Sequence, residues 1–325
     1  MSQMEAGTAV PYMGERLEWK AEIVNFRFTF GHRRWSMPLK SLLLENHFTT
    51  FSGLPDEVRP PFEQAPPDVQ AIVMRSFPTE TAPPRQSRLR DAYRYVPKTY
   101  PRYYTRLEGT FEEYLDKFSS KTRSTLKRKV KKFASLSGDT IDFREYRTPN
   151  ELDEFHTHAI VLSRLTYQDR LLDAGLPDTP EFIEGMRKAA KNDNARGYLL
   201  MKDGRAIAYL YCPIEDGIVL YAYLGYDPAY AALSSGTVLQ YLAFERLFQE
   251  PHLRIFDFTE GEGEHKKLYA TDHVQCADFY YFRPTLRNAA IIQLHSSTLS
   301  FTRFISRTLQ QTGLKSRLKR FLRRG

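Results

Sequence analysis

Apolar and polar positions alternate through Val24, Phe26, Phe28 and Phe30, and this period of two predicts a half-buried strand. RRWSMPLKSLLL adds a further apolar piece, and VQAIVMRSF (69–77) predicts another strand. GLPDEVRPPFEQAPPD and PTETAPPRQSRLRD are turn-rich, and AYRYVPKTYPRYYTRL reads as an extended aromatic segment. The first hundred residues therefore predict a small, mostly β region with long loops. The period changes at residue 110. Phe111, Leu115, Phe118, Leu126, Val130 and Phe133 recur at helical spacing, in a segment opened by a Thr110–Glu113 capping box and stopped near Gly138.

From residue 140 the pattern alternates. IDFREYRT predicts a strand; NELDEFHTHAIVLSRLTYQDRLL predicts a helix with Phe155, Ala159 and Leu162 inward; PEFIEGMRKAAKND predicts a second helix. RGYLLMKDGRAIAYLYCPIEDGIVLYAYLGYD predicts three strands joined at Asp203-Gly204 and Asp216-Gly217, because Asp-Gly pairs favour tight hairpins. GTVLQYLAFERLFQE then predicts a helix, RIFDF a strand, EHKKLYAT a short helix and VQCADFYYFRP a last strand. This order predicts an α/β (α+β) fold, a mixed sheet with helices packed on it. The expected organisation is a loose terminus over 1–16, a β-rich domain over 17–109, a second domain over 110–284 and a helical tail over 285–325.

Composition narrows the class. Of 325 residues 42% are hydrophobic, enough for a real core. No run reaches the length of a membrane span, and the first residues lack a secretory pattern, so the expected compartment is the cytoplasm. Cys212 and Cys276 lie in apolar, strand-like contexts and read as buried free thiols. His156 and His158 are two apart, which splits them around a helix, so no metal site is expected.

The net charge of +8 is uneven: from residue 279 onward there are ten Lys or Arg and no Asp or Glu. Phe301, Phe304, Ile305, Leu309, Leu314, Leu318, Phe321 and Leu322 recur there at helical spacing. Residues 301–324 thus read as a basic amphipathic helix suited to an anionic membrane surface, to packing on the protein, or to nucleic acid. A second basic run, Lys121, Arg123, Lys127, Arg128, Lys129, Lys131 and Lys132, is either a solvated helix face or a surface for an anion.

Two stretches carry candidate chemistry. AYAALSSGTV leads into a helix N-terminus, whose free N–H groups and dipole favour an anion. DFTEGEGEHKKLYAT places acids, a histidine and two lysines where a strand ends.

Taken together, KTRSTLKRKVKKF, GRAIAYLY, YLGYDPAYAALSSG and IFDFTEGEGEHKKLYAT resemble the CelD/BcsL acyltransferases, GNAT-fold relatives of the FemAB peptidyl transferases. The resemblance covers about residues 110–275, and it implies that 17–109 is a divergent GNAT-like half. It implies an acyl-CoA donor, without metal, whose pyrophosphate sits on Ser234, Ser235, Gly236, Thr237 and Val238. Asp257, Phe258, Gly261 and Lys266 match the family's Asp-Phe…Gly…Lys stretch, and His265 stands where a Tyr is common. Asp257 and Lys266, with Tyr223, are the expected substrate contacts; turn capping by Asp257 and pairing of Lys266 with Glu262 are the alternatives. An attacking amine must be neutral, so Glu260, Glu262 and His265 are the candidate bases, and Tyr269 the candidate proton donor to the leaving thiolate. The expected activity is transfer of an acyl group to an amine or hydroxyl of an envelope glycan or lipid precursor, with the enzyme cytoplasmic or docked on the inner membrane face. An aminoacyl-tRNA donor, as used by FemAB relatives, is the runner-up. A non-catalytic membrane or nucleic-acid binding protein is the third reading.

Overall fold

The computed structural model describes residues 19–30, 33–45, 55–165, 175–261 and 263–311. It divides into two compact units, one of residues 1–100 with 275–325 and one of residues 101–274.

The first unit is a sheet covered by one long helix. β1 (Lys20–Phe30) and β2 (Arg33–Glu45) pair antiparallel. β2 runs parallel to β3 (Ala71–Pro78), which pairs antiparallel with β13 (Asp272–Phe282). β13 also pairs with β5 (Tyr93–Tyr95), and β5 with β4 (Gln86–Arg88). A single turn, α1 (Pro55–Val58), lies between β2 and β3 in sequence. α8 (Leu286–Gln311) packs on β1 and β5. The alternation read in β1 is real: Val24, Phe26 and Phe28 are buried while Ile23, Asn25 and Arg27 are exposed. His295 on α8 packs against Phe26 and Phe28, its Nε2–H donating to the Arg27 carbonyl (2.9 Å) and its Nδ1 accepting from the Tyr95 hydroxyl (2.7 Å). Burial lowers the pKa of this imidazole.

The second unit carries the candidate chemistry. Its sheet runs β6 (Thr99–Arg106), β12 (Ile255–Asp257), β10 (Ile218–Leu220), β9 (Arg205–Glu215), β8 (Ala195–Lys202), β7 (Phe143–Tyr146). Only β10 and β12 are parallel among these neighbours. β8 and β9 are buried on both faces, so alternate residues serve different layers. Tyr198, Leu200, Leu210 and Cys212 face α2 (Phe111–Asp116), α3 (Ser120–Ser135) and α6 (Ser235–Leu247). Leu199, Met201, Tyr209 and Tyr211 face α4 (Pro149–Leu165) and α5 (Pro180–Lys191). Gly197 permits this second contact: a Cβ there would come within 2.9 Å of Leu152 and Phe155.

Both Asp-Gly turns form as expected, with positive φ at Asp203 and Gly204 and at Asp216 and Gly217, as a type I′ hairpin requires. The Thr110–Glu113 capping box is present, but the expected single helix is two. Ser119 breaks it, accepting the Thr122 N–H (3.3 Å) as the N-cap of a second helix. The unit boundaries also differ from the expected 109/110 and 284/285. β6 joins the second unit because it pairs with β12, and the C-terminal helix joins the first because it covers β1. Both cysteines are buried free thiols. The tail beyond 311, and with it Leu314, Leu318, Phe321 and Leu322, lies outside the described residues.

A buried ion network ties β8 to the segment after α6. Glu250 accepts from Arg196 through Nε (3.1 Å) and Nη2 (2.5 Å), and from Arg147 Nη2 (2.6 Å). Asp193, Glu250 and His252 bring potential ligand atoms within 4.8 Å of one another, but the two guanidinium groups already occupy Glu250.

Candidate active site

The strand that follows the second hairpin changes partners. β10 pairs in parallel with β12 over three residues, ending at Leu220 opposite Asp257. The chain then steps at Tyr221 and Ala222, and β11 (Tyr223–Tyr226) pairs with β9. β12 ends where β11 begins to diverge, so the sheet opens between them. That step is why three expected strands are four. It also leaves β11 with one paired edge: among the described residues its other edge has no strand beside it.

α6 starts beside this opening. A 3₁₀ turn, Pro228–Leu233, follows β11, capped by Asp227, whose carboxylate accepts the Ala229 N–H (2.9 Å). Ser234 then takes the left-handed conformation (φ 56°) and serves as the N-cap of α6 without a side-chain capping bond. The terminus therefore presents first-turn N–H groups that no side chain caps. Gly236 and Thr237 are half-buried and lie within this turn. Two residues expected to bind phosphate do not face it. Val238 is fully buried and its N–H already donates to the Ser234 carbonyl (3.0 Å). Ser235 is 1% exposed, and its Oγ is buried without a hydrogen-bond partner. Only its backbone is placed to contribute.

Lys129, which the sequence offered only as one cation in a cluster, reaches this terminus. It projects from α3, and its Nζ lies 3.4 Å from Thr237 Oγ1. Of the basic run from Lys121 to Lys132, only Arg123 has a carboxylate partner among the described residues, Asp116. The signal that would have found Lys129 is tertiary: α3 packs on α6, and nothing local says so.

The acidic corner follows β12. Asp257 is fully buried, accepts from Arg102 Nε at both oxygens (3.1 and 3.0 Å) and from Arg102 Nη2, and accepts the Thr259 N–H (2.8 Å). Asp257 is thus a structural ion-pair partner, and burial removes it from the set of substrate contacts. Its hold on Thr259 stabilises a left-handed turn (φ 56°), costly for a β-branched residue. Lys266, also expected at the substrate, is buried and donates to the carbonyls of Phe258 and Glu260, both at 2.6 Å. Desolvation lowers its pKa to about 8, against the pull of Asp257 and Glu260. It shapes the corner from within. No bond to Glu262 is described, because Glu262 lies outside the described residues.

Tyr269 is likewise reassigned. It sits at the end of α7 (Glu264–Tyr269), is 1% exposed, and its hydroxyl donates to the Thr237 carbonyl (2.7 Å). Its own carbonyl accepts from Thr105 Oγ1 (2.9 Å) and Tyr114 Oη (2.6 Å). Burial raises its pKa well above the ordinary phenol value. A proton donor must reach the reacting atoms; this hydroxyl is inside, tying α7 to the first turn of α6. That tie brings the two candidate stretches together in space. Glu260 is exposed at the corner, and His265 lies on α7, its side chain outside the described residues. Tyr223 is half-buried on β11 between Phe182 (5.6 Å) and Tyr211 (6.4 Å), with its pKa raised by burial.

An opened mixed sheet with an uncapped helix at the opening is the GNAT-like arrangement. Residues 120–267 match the family model described as an acetyltransferase (GNAT) domain. The architecture and this match agree on a GNAT-like fold. No curated protein matches the chain in sequence. Solved structures are similar to the chain at low identity. The C-terminal DUF2156 domain of an Agrobacterium fabrum protein, assigned by name only to lysylphosphatidylglycerol synthetase, is 10% identical with a TM-score of 0.50, covering 85% of this chain and 84% of that one. L-PGS from Bacillus licheniformis is 13% identical with a TM-score of 0.43, covering 70% and 73%. FemX is 12% identical with a TM-score of 0.45, covering 70% and 75%.

Proposed function

We propose that this protein transfers an acyl group from acyl-CoA to an amine or hydroxyl of an envelope glycan or lipid precursor. One observation carries the reading: Tyr269 ties the uncapped start of α6 to the helix that follows the acidic corner. An anionic donor bound at the first turn of α6 therefore has its reactive end beside that corner. The N–H groups of Gly236 and Thr237 and the ammonium of Lys129 hold the pyrophosphate, drawing on the helix dipole and a cation with no acidic partner among the described residues. The thioester carbonyl lies in the sheet opening, where backbone N–H groups on the free edge of β11 stabilise the oxyanion. Glu260, with His265 and Glu262, takes the proton from the attacking amine; the new C–N bond forms and the C–S bond breaks, releasing the thiolate. Thioesters are already activated, so holding the reactants together supplies much of the rate. Tyr223 is kept as a contact on the acceptor side of the opening.

The basic run on α3, in which only Arg123 has a carboxylate partner among the described residues, favours a second reading, an aminoacyl-tRNA donor, because it extends well beyond the length of one pyrophosphate. Native mass spectrometry of the purified chain with a panel of acyl-CoAs, and with charged tRNA, separates the two. Retention of a CoA, followed by acyl transfer that falls at least about tenfold in Glu260→Gln, supports the first reading. Binding of charged tRNA alone replaces it with the second, and binding of neither removes both.

A further inference from the structure

The seam between α8 and the sheet beneath it is held more by hydrogen bonds than by apolar packing. Over residues 286–301 Ile292 is the one large apolar side chain that is buried. Gln293 Nε2 donates to Gln86 Oε1 (3.0 Å), and Arg85 Nη1 donates to Ser300 Oγ (3.2 Å). His295 engages both ring nitrogens, Nδ1 with the Tyr95 hydroxyl of β5 and Nε2 with the Arg27 carbonyl of β1. This pair of bonds fits the neutral imidazole, which has one acceptor and one donor.

A cationic group already lies in the seam without an acid. Arg85 is half-buried, and its Nε and Nη2 are buried with no hydrogen-bond partner among the described residues. Around His295 stand Phe26 and Phe28 from β1, Tyr95 from β5 and Arg85 from the segment before β4. The carboxylates of the neighbouring elements are engaged or distant. Glu22, on the same face of β1, is exposed and four residues from Phe26, about 13 Å along the strand. Asp91, between β4 and β5, is bonded to Arg59, and Asp278 of β13 to Lys98 and Tyr100. α8 itself contains no Asp or Glu, and its Arg287 is exposed.

We propose that α8 is an acid-released strap: protonation of the His295 imidazole frees residues 286–301 from β1 and β5 while the strands beneath stay paired. A proton on Nδ1 turns that atom into a donor, so the Tyr95 hydroxyl has to rotate and accept. It also places a second buried charge beside a guanidinium that already lacks acceptors, and a desolvated charge without a counter-ion is costly. In water the same imidazole protonates without either penalty. Burial lowers the imidazole pKa most and Arg85 adds to this, against the pull of the Arg27 carbonyl. The docked helix therefore binds the proton less tightly than the released one. Docking is strongest above the ordinary value of 6.5 and weakens as pH falls below it. Release bares Val24, Phe26 and Phe28, an apolar face otherwise covered.

The test is hydrogen–deuterium exchange of the full chain, read by mass spectrometry at about pH 7.5 and about pH 5.5, with rates corrected for intrinsic exchange. A released helix frays, so peptides from 286–301 are expected to exchange at least about threefold faster at the lower pH, while those from β3 and β8 hold their rates. His295→Gln keeps a donor and an acceptor and takes no proton, so its α8 is expected to exchange at the neutral-pH rate under both conditions. Should that variant fail to dock, proton NMR of the parent chain decides, with the His295 ring signal identified by its absence from the variant. Its titration midpoint is expected below 6.5 and at the pH where α8 is released. Equal exchange of 286–301 at the two pH values overturns the proposal. So does a pH response that His295→Gln retains, an acceleration shared equally by β3 and β8, or a ring titration that does not coincide with release. None of these outcomes depends on which donor the second unit uses.

Discussion

Replacing Arg102 by Met isolates the ion pair that underlies the acidic corner. Arg102 is 4% exposed and Asp257 is fully buried, so the pair is held out of water on both sides. Met fills most of the aliphatic volume of Arg but leaves the Asp257 carboxylate with the Thr259 N–H and without the guanidinium donors that now bond it. Breaking one side of a buried pair costs about 3–5 kcal/mol, since the remaining charge keeps its desolvation penalty and loses its partner. For a unit of this size each kcal/mol lowers the melting temperature by about 2–4 °C, which gives a drop of about 6–20 °C. The assay is thermal unfolding of the full chain, followed by circular dichroism, together with the double variant Arg102→Met/Asp257→Leu. Removing both charges eliminates the uncompensated carboxylate, so the double variant is expected to recover most of the loss. It is not expected to recover activity, because Asp257 also anchors Thr259 in its left-handed turn. A single variant that loses less than about 1 kcal/mol, or a double variant less stable than the single, would refute the reasoning.

Three further outcomes follow from the same geometry. Lys266 titrates near 8 in the folded protein and near its ordinary 10.5 when unfolded, so the unfolded chain holds the extra proton between those values. Stability should therefore rise with pH across that window, by about 3 kcal/mol, and urea titrations of Lys266→Met should lack that rise. Gly217→Ala places a Cβ 2.7 Å from the His252 carbonyl at a residue with φ 75°, and chemical denaturation should show a loss of about 2 kcal/mol or more. Tyr269→Phe removes the hydroxyl that binds the Thr237 carbonyl; about 1–2 kcal/mol of stability should go, and the KM for the donor should rise while the pH profile of kcat stays unchanged. A shifted pH profile would restore Tyr269 as a proton donor.

Local chemistry made much of the fold legible. The Asp-Gly hairpins, the Thr110–Glu113 box and the alternation in β1 depend on near neighbours, and each formed. The candidate stretches were legible as stretches, because a small-residue loop before a helix and a run of acids after a strand are visible in any reading. Their inner logic was not. Asp257, Lys266 and Tyr269 are residue types that catalysis uses, yet Arg102 and the Thr237 carbonyl claim Asp257 and Tyr269 from elsewhere in the second unit, and the Phe258 and Glu260 carbonyls turn Lys266 back into its own stretch. Sequence spacing records which groups exist; it does not record which are already bonded. The step at Tyr221 and Ala222 was hidden for a related reason. Uninterrupted apolar residues suit one long strand or two short ones, and only the partners decide.

The first unit is made from both ends of the chain, and this governs the order in which it can be built. On a ribosome, β3 and β5 emerge long before β13, which pairs with both of them. At ordinary elongation rates the wait is on the order of ten seconds or more. During that time Ala71, Ile72, Val73 and Met74, fully buried in the finished protein, lack the strand that covers one of their edges. The inserted unit meanwhile has all its strands and can close first. Nascent chains stalled before residue 272 should accordingly be the ones that recruit chaperones, and the vulnerable segment is β3.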